Sequence, residues 1–426
     1  MNITGVIAEY NPLHNGHAFH LRYARKETNA DYLIAVMSGN FVQRGAPALL
    51  DKFVRTQAAL LAGADLVIEL PPLWSCASAE YFAGAGIALL GQLGCVSALC
   101  YGCETPDSSL FHTVCNCISH SADPGSRYSS LIADFQKKGD NIALAREKAV
   151  LELLADCDAS AIMELFENPN NTLALEYQKA IALSGFPIDV YPIQRQGQGY
   201  HSKDLSNTFV SATAIRRFLA DSTDPAHADA SDAAPLSKVM PPHAYELLRR
   251  YQNAYPLLFE DDCSQMLHYA LLKNMQDGFD DFADCTRDIS NKICGHLDAY
   301  AGFSDFLTQL KSKDLTYTRI SRTLLHILLN IRKDDYEIWK TRSYIPYARV
   351  LGFRKESRGL LGHLKKHTAI PLLTRAAEAK KIFSKDPQAL SFFQKHLFAD
   401  SVYRALVMEK GGNPMCNEYR QPIIIV

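Results

Sequence analysis

Short, uniformly apolar runs alternate along this chain with longer stretches in which apolar residues recur every three or four positions. Ile3 to Ala8, Tyr32 to Met37, Asp65 to Leu70 and Val96 to Tyr101 are such runs, and Phe186 to Tyr191 is a fifth. Runs this short and this apolar predict strands buried on both faces, as in a parallel sheet. Helical spacing fills the gaps from Asn15, from Lys52 to Ala62 and from Ser78 to Leu93. The alternation predicts an α/β fold with a Rossmann-like parallel sheet over residues 1–220. Beyond Met240 the pattern changes. Leucines and aromatics at helical spacing (Leu247, Leu248, Tyr251, Leu267, Leu271, then Leu324 to Ile331) predict a mostly α-helical C-terminal domain over 238–426. Residues 221–237 are acidic and low in complexity, which predicts an exposed linker between the two.

Ligands of parallel sheets bind beyond the carboxyl ends of the strands. The loops to inspect are therefore Glu9 to His17, Ser38 to Arg44 and Gly102 to Glu104. In the first, Asn11-Pro12 ends a strand and Asn15-Gly16 opens a helix, so His14 and His17 sit at a helix N-terminus. Unpaired backbone N–H groups and the helix dipole make that a place for phosphate. Gly16 allows a close backbone approach, and imidazoles can donate to a transferring phosphoryl group. A second phosphate clamp is expected where Ser211 and Thr213 cap a helix that presents Arg216. Asn170 and Asn171 stand at another helix start. Arg195 lies in a loop after the fifth run. Cys100-x-x-Cys103 and Cys115-x-Cys117 do not make a zinc site, because the second pair is too tight and Cys100 falls inside a strand. No metal-ligating residues are assigned.

Composition narrows the class. The chain has 426 residues, 47% hydrophobic and 21% charged, which describes a folded protein of two or three domains. No apolar run is long enough to span a membrane, and no signal-peptide pattern is seen. Eleven cysteines without a regular framework suggest a reducing, cytoplasmic setting. Charge is unevenly spread: residues 1–220 are net −5, residues 221–310 net −9, and residues 311–426 net +12, with 22 Lys+Arg against 10 Asp+Glu. A basic C-terminal quarter on an acidic protein is the footprint of a polyanion partner. Arg319, Arg322, Arg349, Arg354 and Lys355 lie there beside tyrosines able to stack on bases. Lys52 and Arg55 on an earlier helix are further candidates for phosphate or RNA.

His-Asn-Gly-His (14–17) resembles the His-x-Gly-His signature of the nucleotidyltransferase and class I aminoacyl-tRNA synthetase superfamily, and Ser-Ala-Thr-Ala-Ile-Arg (211–216) its second phosphate element. Over nearly its full length the chain resembles the bacterial tRNA(Met) cytidine acetate ligases. The segments that carry the resemblance are Gly5 to His17, Ser38 to Gly45, Ala64 to Pro71, Asn170 to Tyr177, Gly199 to His201, Ser211 to Arg216 and Tyr317 to Ile320. The resemblance implies a ligase that activates acetate as acetyl-adenylate with ATP. It would then transfer the acetyl group to N4 of the wobble cytidine of elongator tRNA(Met). It implies His14, His17, Ser211, Thr213 and Arg216 as the catalytic, phosphate-stabilising set. It implies an ATP site formed by Ile7, Ala8, Glu9, Tyr10, Asn11, Pro12, Leu13, His14, Asn15, Gly16, His17, Ala18, Phe19 and His20, with Gly102, Asn170 or Asn171, and Arg195. Mg²⁺ is expected with the triphosphate. Lys52, Arg55, Arg319, Arg322, Arg349, Arg354 and Lys355 are the expected tRNA contacts. The alternative is an adenylyltransferase that joins AMP to a small phosphorylated acceptor, which needs no basic C-terminal region.

Overall fold

A computed structural model describes residues 1–105, 109–119, 125–195, 209–223, 233–312 and 315–426. Ten strands occur among them: β1 (Ile3–Ala8), β2 (Tyr32–Ser38), β3 (Phe41–Val42), β4 (Ala46–Pro47), β5 (Leu66–Leu70), β6 (Ala98–Cys103), β7 (Asp189–Gln194), β8 (Ala348–Phe353), β9 (Leu372–Leu373) and β10 (Ile424–Ile425). The main sheet runs β10-β8-β5-β2-β1-β6-β7, with β9 paired to β8. Its five strands β5-β2-β1-β6-β7 are parallel and carry the doubly wound order 3-2-1-4-5 when counted along the chain. The order reverses between β1 and β6, and that is where a crevice opens.

Alternation along each strand explains the apolar runs. In β2, Ile34 and Val36 join one hydrophobic cluster while Leu33, Ala35 and Met37 join the other. In β5, Leu66, Ile68 and Leu70 face the first cluster and Val67 the second. Helices Asn15–Glu27 and Lys52–Leu61 cover one face, and Ala79–Gln92 with Pro169–Ser184 covers the other. Every residue from Leu33 to Met37 is therefore fully buried.

Two expectations need correction. The C-terminal part is mostly helical, but it also completes the sheet: β8 pairs antiparallel with β5, and β9 and β10 pair with β8. The segment around Arg349 is thus a buried strand, legible in retrospect as the apolar run Ala-Arg-Val-Leu-Gly-Phe after Pro346. The span 221–237, expected as linker throughout, is helical at both ends. Helix Ala212–Thr223 runs into its start and helix Ala233–Val239 takes its end; residues 224–232 lie outside the described residues. The hairpin β3–β4 locks the C-terminal helix Tyr317–Leu328 in place. Gly45 has φ +81°, and any Cβ there would collide with the Arg322 backbone, while Ser321 donates to the Gly45 carbonyl at 2.9 Å.

Candidate nucleotide-binding site

A cavity of about 240 Å³ opens where β1, β6 and β7 end. Its wall beyond β1 comes from Ile7, Ala8, His14, Gly16, His17, Phe19 and His20. Beyond β6 it takes Tyr101, Gly102 and Glu104; beyond β7, Ile193, Gln194 and Arg195. Helix Pro169–Ser184 contributes Asn170, Leu173 and Tyr177, and Phe209, Val210 and Ser211 close the side.

His14 is the N-cap of helix Asn15–Glu27 and forms a capping box with His17. The Gly16 N–H donates to His14 Nδ1 at 3.1 Å, and the His14 N–H reaches His17 Nδ1 at 3.4 Å. Both Nδ1 atoms are acceptors, so each neutral ring carries its proton on Nε2. The rings stack at 3.8 Å between centroids, 27° apart. Burial lowers the pKa of His14 to about 3, with Arg195 and Arg216 adding to the effect. Burial also holds His17 well below its ordinary value, with His14 contributing, and brings His20 down to about 4. The site therefore offers neutral Nε2–H donors at neutral pH. This revises the expectation of unpaired backbone N–H groups, because the Gly16 N–H already serves the cap. Gly16 makes room for the His14 ring: a Cβ there would lie 2.9 Å from His14 Cε1.

The rest of the Glu9 to Leu13 stretch builds the loop rather than the cavity wall. Glu9 Oε1 accepts from the Gln43 N–H at 2.8 Å, and Asn11 Oδ1 from the Leu49 N–H at 2.8 Å. Tyr10 and Leu13 are buried in the apolar cluster, and Ala18 is buried too. The Asn11–Pro12 bond is cis. Asn15 donates to the Lys238 carbonyl at 2.8 Å. Arg216 clamps the loop from outside, donating to the Asn11 carbonyl at 2.7 Å and to Thr213 Oγ1 at 3.3 Å. Ser211 caps its helix by accepting from the Ala214 N–H at 3.2 Å. Thus Ser211 lines the cavity, whereas Thr213 and Arg216 stand behind His14.

Between the two asparagines the structure chooses roles. Asn170 lines the cavity and accepts from Arg195 Nη1 at 3.2 Å. Asn171 is fully buried and its Oδ1 takes the N–H groups of Glu104 and Thr105. Sequence reasoning passed over Glu104 as a site residue, although it ends the β6 loop.

Three expected RNA contacts are overturned by burial. Lys52 is fully enclosed, its Nζ 3.0 Å from both carboxylate oxygens of Glu69, 2.7 Å from Asp400 Oδ2 and 3.1 Å from Glu418 Oε1. Arg55 is spent on the carbonyls of Glu9, Ser38, Gly39 and Leu50. Arg349, 2% exposed, faces Glu418 at 3.6 Å. Arg322 is largely engaged by Asp284 at 2.8 Å. Arg319 and Arg354 are half-buried, and Lys355 is exposed. Glu69, His396 and Asp400 stand close enough to share a cation, but the Lys52 ammonium already lies between the two carboxylates. Among the described residues no helix is long and apolar enough to cross a membrane.

Comparison with known proteins agrees with this geometry. The family model described as HIGH Nucleotidyl Transferase matches residues 1–416. The tRNA(Met) cytidine acetate ligase of Clostridium novyi is 33% identical over 408 residues, covering 95% of this chain and 98% of that protein. That of Clostridium perfringens is 36% identical over 385 residues, covering 89% and 91%. Among solved structures, Thermotoga maritima TmcAL bound with alpha-thio ATP superposes with a TM-score of 0.88 at 28% identity, covering 100% of this chain and 99% of that one.

Proposed function

The chain belongs to the tRNA(Met) cytidine acetate ligases within the HIGH nucleotidyl transferases, and from that premise we propose that its cavity binds ATP and activates acetate. Acetate is unreactive toward an amine. Attack of its oxygen on the α-phosphorus expels pyrophosphate and leaves acetyl-adenylate. The N4 amine of the wobble cytidine of elongator tRNA(Met) then takes the acetyl group, AMP departs, and the amine proton is lost to solvent.

The observation that carries this reading is the pair of neutral, stacked imidazoles, His14 buried and His17 half-buried, at the switch point of the sheet. Phosphoryl transfer needs positioning and charge stabilisation more than covalent chemistry. His14 and His17 would donate through Nε2 to the phosphates, aided by the dipole of helix Asn15–Glu27. Ser211 would add a hydroxyl from the side. Arg216, with Thr213, would hold the loop that presents both histidines and add positive potential behind His14. Asn170 and Arg195 would meet the nucleotide from helix Pro169–Ser184 and the end of β7, respectively. Among the described lining residues the cavity has one carboxylate, Glu104, already held by protein donors. These residues do not build a cage for Mg²⁺. The ion would enter coordinated by the triphosphate.

Arg319, Arg354 and Lys355, with the net charge of +12 over residues 311–426, support a tRNA-binding role for the C-terminal part. The same charge disfavours a small phosphorylated acceptor, which needs no such surface. The test is acetate-dependent exchange of labelled pyrophosphate into ATP, with His17→Ala alongside. Exchange that requires acetate and collapses in the variant is expected. Absence of acetate-dependent exchange, with or without tRNA(Met), would overturn the ligase reading.

A further inference from the structure

Glu104 is the acidic side chain among the described residues that line the cavity. An acid facing a triphosphate would repel it, so Glu104 has to meet some other part of the ligand. Its position says which. It directly follows β6, one strand outward from the β1 loop that carries His14 and His17, and so lies toward the nucleoside half.

The carboxylate is held firmly. Asn170 Nδ2 donates to Oε1 at 2.6 Å, and the Asn171 N–H donates to Oε2 at 3.1 Å from the first turn of helix Pro169–Ser184. Arg195 stands beside it, bonded to Asn170 Oδ1 at 3.2 Å. Each carboxylate oxygen accepts about two hydrogen bonds, so one acceptor position remains on each. Two parallel acceptors match a vicinal diol better than a single amine. A divalent cation fits poorly, since the Arg195 guanidinium already supplies positive charge there.

We infer that Glu104 accepts hydrogen bonds from the 2′- and 3′-hydroxyls of the bound nucleotide's ribose and so selects ribonucleotides. This rests on the reading of the cavity as an ATP site. In this role Glu104 is a specificity residue, oriented by Asn170 and the Asn171 backbone.

The test is calorimetric titration of the full chain with ATP, 2′-deoxy-ATP and 3′-deoxy-ATP, for the unaltered protein and for Glu104→Gln. No acetate or tRNA is added, so the result is independent of the ligase reading. The unaltered protein is expected to bind each deoxynucleotide about tenfold more weakly than ATP, as befits loss of a bond to a charged acceptor. In Glu104→Gln, ATP should weaken by a similar factor or more, and each deoxynucleotide, which keeps one hydroxyl on this side chain, should weaken less than ATP. A merely structural role for Glu104 would weaken all three equally, and that outcome overturns the inference. So does equal binding of all three by the unaltered protein, or an effect of the variant that vanishes when Mg²⁺ is removed. Normal discrimination without acetate-dependent exchange would instead count against the ligase reading alone.

Discussion

Two groups of buried or half-buried polar side chains flank the same loops and have opposite fates. In the cavity, His14, His17, His20 and Glu104 each keep acceptor or donor capacity turned toward an opening. Behind the sheet, Lys52, Glu69, Asp400, Glu418, Arg349 and His396 close on one another. His396 Nε2 lies 2.9 Å from Glu69 Oε1, and its Nδ1 meets the Tyr347 hydroxyl at 2.8 Å. Asn40 completes the cluster by donating to Asp400 at 3.0 Å and accepting from the Lys52 N–H at 2.8 Å. A charge buried with its complement is architecture. A polar group buried with capacity to spare is a site. The difference is not in residue type, since each group contains histidine and carboxylate.

The largest effect is expected at Lys52. Lys52→Met would leave Glu69, Asp400 and Glu418 facing one another without their ammonium. Leaving buried charge uncompensated costs about 3–5 kcal/mol, and urea denaturation should show that loss. If the variant is as stable as the parent, the cluster is not what fastens the C-terminal part to the sheet.

The opposite signature is expected in the cavity. His17→Ala should cut pyrophosphate exchange by about a hundredfold or more, the scale of losing a preorganised donor, with little change in melting temperature. A large drop in melting temperature would make His17 a structural residue instead.

Acidity separates the groups more gently. His14 and His20 titrate at about 3 and about 4 in the folded protein, below their ordinary 6.5, because they are buried. The unfolded chain therefore binds their protons first, and stability falls as pH drops from 6.5 toward those values. A melting temperature lower at pH 5 than at pH 7 by several degrees, about the shift of one or two kcal/mol, is expected for the nucleotide-free protein.

The smallest effect belongs to the surface. Lys355→Ala should weaken tRNA binding about two- to threefold and reduce the salt slope by about one. A change in exchange without tRNA would mean that Lys355 acts on the cavity instead.

His14 and His17 were legible because their placement is local: a strand, a break and a helix start within one short stretch. Ser211 and Arg195 were legible for the same reason, each following an apolar run or opening a helix. Lys52, Arg55 and Arg349 were misread because sign is written in the sequence and burial is not. The partners of Lys52 lie as far off as Asp400 and Glu418, and no local pattern announces them. β8 escaped for a related reason. Its apolar run stands among helices, and only its antiparallel partner β5, far earlier in the chain, makes it a strand.

By itself the sequence determined the parallel core, since alternating burial on two faces demands those apolar runs in that order. It also determined the strand-to-helix handover at His14-Asn15-Gly16-His17, because capping and helix polarity act over a few residues. Only the tertiary structure decided which cations meet water, which asparagine faces the cavity, and that the chain's last strands close the sheet. Those outcomes depend on contacts between distant segments, whose energies exist only once the chain has folded.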